Sequence, residues 1–199
     1  TTVPFSDWWN VMITRSAGVD GFFIHPVAEL EVIIGNGGIG LEIFTQCPEV
    51  EVIVVPFGGG GMISGIALAM KALGKTPKII ACEIESSTPL KAAKKQGKPV
   101  KVERGKSWVD GIGSTTVLPE MWPLLDELVD KVIVVSHREA ENALRSLSSK
   151  SHLISEGAGA VALAAASKPE FSGKNIVAVI SGSNIDQDTY IKILNNSYI

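Results

Sequence analysis

Several features that announce a specialised protein class are scarce or missing in this chain. Its two cysteines, Cys47 and Cys82, are too few for a disulfide framework. Both lie on apolar-patterned segments, so they are expected as reduced core residues of a cytoplasmic protein. No apolar run is long enough to span a bilayer, residues 161–166 being short and Ala-rich, and no signal peptide is visible. Lys and Arg form no long run, and the net charge of −3 with a pI near 5.6 leaves no electrostatic footprint for nucleic acid or an anionic membrane. The short cluster Lys91, Lys94, Lys95 and Lys98 fits the solvated face of a helix. The three histidines, His25, His137 and His152, have no metal-ligand spacing and no G-x-S-x-G elbow is present, which speaks against a metal centre and a hydrolase nucleophile. The dinucleotide spacing G-x-G-x-x-G fails from Gly58, Gly59 and Gly60, and Gly105-Lys106-Ser107 lacks the earlier glycine of a P-loop, its place being held by Val100.

What is present is a hydrophobic chain of 199 residues, 45% hydrophobic, enough to bury a core and read as one domain with part of a second. Strand-length runs rich in Ile and Val at 21–25, 50–55, 78–83, 131–135 and 175–180 alternate with helical patterns at 6–16, 37–45, 62–73, 89–96, 119–128, 138–148, 157–167 and 188–195. That alternation predicts an α/β fold, an open and mostly parallel sheet with helices on both faces. Ser6 and Ser136 are the expected N-caps, and Gly74 and Gly97 the expected C-terminal stops. Periodicity fails across 97–113, which predicts a long surface connection of the kind that lines a site.

The four glycines Gly58, Gly59, Gly60 and Gly61 stand between a strand and a helix. A flexible linker would sit among polar, Ser-rich residues, whereas Ile53, Val54 and Val55 precede this run and Ile63, Ile66 and Leu68 follow it. Residues without Cβ let successive N–H groups face one ligand at a helix N-terminus, so the expected occupant is a phosphate. In open α/β sheets ligands bind beyond the carboxyl ends of the strands. His25-Pro26, the glycine run, Glu83 to Ser87 and Ser181-Gly182-Ser183-Asn184 all fall on that rim.

Taken in order, His25-Pro26, Gly35-Asn36-Gly37-Gly38-Ile39-Gly40-Leu41-Glu42, Val55 to Ile66, Asp110-Gly111, Glu156-Gly157-Ala158-Gly159 and Ser181-Gly182-Ser183-Asn184 resemble the serine/threonine dehydratases and serine racemases of the fold-type II pyridoxal-phosphate (PLP) family. The resemblance covers nearly the whole chain. It implies a tryptophan synthase beta-like fold in which the backbone of Gly58, Gly59, Gly60, Gly61 and Met62 binds the cofactor phosphate. It assigns Ser181 to the pyridine nitrogen, and Gly111 and Glu156 to the surroundings of the ring. A neutral hydroxyl at the ring nitrogen makes a weaker electron sink than a carboxylate would, favouring β-elimination over transamination. Glu83 and the backbone of Ser87 match part of a divalent-cation site (Mg2+ or Ca2+) of some members, but the third ligand position is Pro89, whose lack of a carboxylate weighs against a cation.

The family's N-terminal S-F-K-x-R-G-A-like motif, whose lysine forms the Schiff base and takes the α-proton, has no counterpart here, nor does its S-x-G-N-x-x-Q substrate loop. No catalytic residue is therefore assigned within this chain. With Thr1 rather than Met at its start, the chain is expected to correspond to the C-terminal three-fifths of such an enzyme. Residues 1–25 would end the small substrate domain and residues 26–199 form the large PLP-binding domain. The resemblance implies a cytoplasmic lyase of amino-acid metabolism acting on a small amino-acid substrate, working as a homodimer or in association with the N-terminal part of the enzyme. A racemase on the same scaffold, and an inactive remnant serving as a binding or oligomerisation module, are the alternatives.

Overall fold

A computed structural model describes residues 5–16, 18 and 20–196, with the side chains of 5–9 left aside. Its elements are α1 (Phe5–Thr14), α2 (Leu30–Gln46), β1 (Val52–Pro56), α3 (Gly61–Ala72), β2 (Lys78–Ile84), α4 (Pro89–Gln96), α5 (Trp122–Leu128), β3 (Lys131–Val135), α6 (His137–Ser151), α7 (Gly157–Ala166), β4 (Ile176–Ala178) and α8 (Gln187–Leu194). The four strands form one parallel sheet in the order β3-β2-β1-β4. Val54 sits opposite both Ile80 and Ala178, so β1 is the central spine, and every residue of it is buried. Helices on both faces explain why β1 and β2 read as unbroken apolar runs rather than alternating ones.

Two cores flank the sheet. On one face Val52, Val54, Ile80 and Ile133 pack with Leu144 of α6, Val161 of α7 and Ile193 of α8. On the other, Ile53, Val55 and Ile79 pack with Ile33 and Ile43 of α2, Ile66 and Met70 of α3, Leu90 of α4 and Leu125 of α5. Helices α2 and α3 meet almost backbone to backbone: a Cβ on Gly65 would stand 2.3 Å from the Ile33 carbonyl oxygen, and one on Gly40 2.8 Å from Ala69 Cβ. The glycines of these helices therefore set how closely they approach.

Helix ends follow their chemistry. Ser136 caps α6 in a full capping box with Glu139, and Gly97 ends α4 in the left-handed conformation at φ 68°. Gly74 takes the same conformation just beyond α3. Four expectations change. Residues 21–25 form no strand, since Phe22 and Ile24 face solvent and no strand among the described residues pairs with them. Ser6 lies inside α1 rather than capping it. Helix α2 starts at Leu30, seven residues before the expected Gly37. The 97–113 connection is not a surface loop throughout, because Trp108, Val109 and Ile112 are buried in the core beside α7. Cys82 is buried in β2 as expected, whereas Cys47 is a half-buried C-cap of α2.

Candidate functional site

Because the strands are parallel, the loops after β1, β2, β3 and β4 leave the sheet on one side. The loop after β1 is Phe57 to Gly60, and Gly60 at φ 100° turns it into the first turn of α3. That conformation is open to glycine and costly for a residue with a Cβ. The backbone N–H groups of Gly58, Gly59, Gly60, Gly61 and Met62 donate to nothing among the described residues, and the first N–H returned to the helix is that of Ser64, to Gly60 O. A row of free donors at the positive end of a helix is an anion cradle. Ser114 holds the loop from outside by donating its Oγ–H to Gly58 O at 2.7 Å, and Ser87 in turn donates to Ser114 O at 2.6 Å.

These glycines and Met62 line a cavity of about 270 Å³ together with Gly111, Ile112, Glu156 and Ser181. Eight sequence-predicted residues from four separate segments thus share one wall: Gly58, Gly59, Gly60, Gly61, Met62, Gly111, Glu156 and Ser181. Glu156 enters it from the N-terminal end of α7, its backbone N–H donating to Gly182 O at 2.9 Å. Its carboxylate is pressed between two backbones: a Cβ on Gly182 would lie 2.6 Å from Oε1 and one on Gly111 3.1 Å from it. Burial first, and the negative charge of Asp110 second, raise its pKa from the ordinary carboxylate value.

The connection carrying Gly111 is fixed by a relay behind it. Glu85 Oε1 accepts from the His137 backbone N–H at 2.8 Å and lies 3.0 Å from Nδ1, while Nε2 lies 2.9 Å from Ser107 Oγ. A carboxylate only accepts, so the bond to Glu85 is donated by His137 Nδ1.

Pro26, Val27 and Asn36 also line the cavity; Pro26 belongs to the expected rim and Asn36 to a motif of the resemblance, whereas nothing in the sequence marked Val27. Val27 closes on the glycine loop: a Cβ on Gly59 would stand 2.4 Å from Val27 Cγ2, and one on Gly61 2.9 Å from Val27 O. His25 builds this turn. Fully buried, it accepts at Nδ1 from the N–H groups of Val27 and Ala28, each at 3.0 Å, and burial holds its pKa below the ordinary value, so the ring stays neutral. The adjacent His25-Pro26 was the available signal.

Glu83 and Ser87 do not line the cavity. The buried Glu83 carboxylate accepts from the first turn of α4, Oε1 from Leu90 N at 2.7 Å and Oε2 from Lys91 N at 3.0 Å. Burial pushes its pKa up to about 7 although both hydrogen bonds and the Lys91 charge act in the opposite direction. None of the residues lining the cavity is a lysine.

The free donors, the glycines that leave room at them and the hydroxyl and carboxyl groups across the cavity suit a phosphorylated heteroaromatic ligand. Comparison with known proteins points the same way. The serine racemase of Homo sapiens is 35% identical over 183 residues, covering 89% of this chain and 54% of the relative. An L-threonine ammonia-lyase of Thermotoga maritima is 36% identical over 196 residues, covering 98% of this chain and 49% of its own length. The chain thus spans about half the length of the curated relatives it matches. Among solved structures, maize serine racemase superimposes with a TM-score of 0.78 at 31% identity, over 88% of this chain and 57% of that one. Processed threonine deaminase isoform 2 from Solanum lycopersicum does so with 0.80 at 28% identity, over 88% and 52%. Residues 12–182 match the family described as pyridoxal-phosphate dependent enzyme, and the chain belongs to that family, with its fold-type II architecture.

Proposed function

We propose that this chain forms the cofactor-holding part of a PLP-dependent lyase that converts serine- or threonine-type β-hydroxy amino acids to 2-oxo acids and ammonia. The observation that carries this reading is the row of free N–H donors from Gly58 to Met62, on a cavity that also holds Ser181 and Glu156. The N–H groups of Gly58 to Gly61 and Met62 take the cofactor phosphate, helped by the positive end of α3. Ser181 offers its hydroxyl to the pyridine nitrogen. Gly111 and Gly182 leave the space in which the Glu156 carboxyl stands beside the ring. Bound there, PLP supplies the electron-withdrawing ring that draws in the bond electrons at the substrate's α-carbon. With no lysine on the cavity wall, the amine that joins the cofactor comes from a segment carrying the family's lysine motif.

The chain alone should therefore bind PLP without covalent attachment and without turnover. Adding a segment with the lysine motif should yield 2-oxo acid from serine or threonine. Borohydride reduction and peptide mapping test this: a stoichiometric pyridoxyl adduct on one lysine of this chain, with turnover in the absence of any partner, refutes it. Similarity to serine racemases makes racemisation the second reading, and chiral analysis of recovered serine in the reconstituted reaction separates the two.

A further inference from the structure

The turn between β2 and α4 is where family resemblance implies a divalent cation, and its groups do not fit one. Of the two carboxylates on that turn, Glu83 has both its oxygens taken by the N–H groups of Leu90 and Lys91, and Glu85 is turned to the backbone N–H and ring of His137. Ser87 Oγ is spent on Ser114 O, so Ser87 could offer an ion only its backbone oxygen, and Pro89 stands where a further carboxylate ligand belongs. Ca2+ takes six to eight oxygens and Mg2+ a near-octahedral six, commonly several of them waters. The buried Glu83 leaves little room for such a shell, and no group of three His, Cys, Asp or Glu side chains fit to hold a metal stands together among the described residues.

The electrostatics oppose a cation as well. The first turn of α4 presents the positive end of a helix to Glu83, and the Lys91 ammonium adds to it. A cation at Glu83 would have to displace two charge-assisted hydrogen bonds and then face both of those positive groups.

We infer that this protein needs no divalent cation at the β2–α4 turn, because the Glu83 carboxylate does structurally what the ion would do, fastening α4 to the end of β2. Leu90 and Ala93, both fully buried, then seat the helix in the core behind the glycine loop. The inference rests on family membership and not on the proposed reaction, so its test uses melting temperature and cation binding rather than turnover.

The experiment is a thermal melt of the chain, with and without PLP, in EDTA and in millimolar Mg2+, Ca2+ or Mn2+, backed by calorimetric titration of each metal alone. Expected are superimposable melts and no saturable heat. Glu83→Ala should lower the melting temperature by the same amount in EDTA and in every cation, with Glu83→Gln in between because it keeps one acceptor oxygen. A saturable rise in wild-type melting temperature, reversed by EDTA and abolished in Glu83→Gln, would overturn the inference. So would a Glu83→Ala melt identical to wild type. A rise kept in Glu83→Gln would place the cation elsewhere and uphold the assignment of Glu83 to α4. Should Glu83→Ala fail to fold, the wild-type cation series and Glu83→Gln decide by themselves.

Discussion

Replacing Gly65 by alanine puts a methyl carbon 2.3 Å from the carbonyl oxygen of Ile33, 2.8 Å from Asn36 Cβ and 2.9 Å from the backbone nitrogen of Gly37. The first contact is more than an ångström inside ordinary van der Waals range, and two of the three obstacles are backbone atoms of α2, which no rotamer change can move. Helices α2 and α3 must part. Overpacking of this kind costs about 1–3 kcal/mol. Alanine returns about 0.5–1 kcal/mol of helix propensity, and with rigid backbone as the obstacle the net loss should be about 2 kcal/mol. For a chain of this length that is a fall of about 4–8 °C in melting temperature. Gly38, also within α2, has nothing within 4 Å of an added Cβ, so Gly38→Ala keeps only the propensity gain and should stabilise by about 0.5–1 kcal/mol. Thermal melts of the two variants beside wild type decide the matter through the sign of each shift. Equal shifts, or a Gly65→Ala melt at the wild-type temperature, would show that α2 and α3 are not held at this separation. Asn36 sits at this same crossing and on the cavity wall, so Gly65→Ala should also weaken PLP binding while Gly38→Ala leaves it intact.

Gly59→Val should abolish PLP binding with the fold retained, since even the first added carbon would lie 2.4 Å from Val27; equilibrium titration followed by cofactor absorbance is the check, and wild-type affinity would defeat the phosphate assignment. In the reconstituted enzyme, Ser181→Ala should slow elimination by removing a hydrogen bond worth about 1 kcal/mol, while Ser181→Asp should raise transamination; unchanged rates and product ratios in both would place Ser181 away from the ring. Lys168 and the capping bonds from Ser136 hold Glu139 at a pKa of about 2 against an ordinary 4.5. A carboxylate depressed in the folded state stabilises above pH 4.5 and loses that contribution as the pH falls toward 2. Glutamine still fits the third position of the capping box, so Glu139→Gln should cost only about 0.3–1 kcal/mol at neutral pH, for the lost charge at the positive end of α6, its half-exposed ion pair with Lys168 adding little, and the deficit should shrink in melts taken at pH 3.

Local sequence sufficed wherever a segment carried its own boundary chemistry. Pro89 at the start and Gly97 at the end bracket α4 where expected, and the β3 run from Lys131 to Val135 is bounded by Asp130 before it and the Ser136 cap after it. It failed where the deciding partner is distant. Residues 21–25 have strand propensity, but a strand needs a neighbour, and the sheet's free edges are not there. The first two turns of α2 carry Leu30 and Ile34 on an exposed face, which spoils the amphipathic signal, and that stretch is helical because Ile33 and Gly37 pack on α3. The 97–113 connection lacks periodicity because single residues, Trp108, Val109 and Ile112, are drawn into the core one at a time.

The candidate site divides the same way. The glycine run was legible because its demand is on its own backbone: Gly60 needs φ 100°, and only glycine takes that conformation cheaply. Ser181, Gly111 and Glu156 were reached through resemblance, since a short polar or glycine-containing turn looks the same wherever it occurs. Val27 had no such handle. Its place over Gly59 depends on His25, buried and neutral, using one ring nitrogen to accept two backbone N–H groups. Protonating that nitrogen would forfeit both bonds and place a charge in the core, so the turn that closes one side of the cavity is stable only while His25 stays neutral. The glycine at position 59 and the histidine at position 25 thus serve one contact from its two sides. Gly59 leaves the space, and His25 holds the Val27 side chain that fills it.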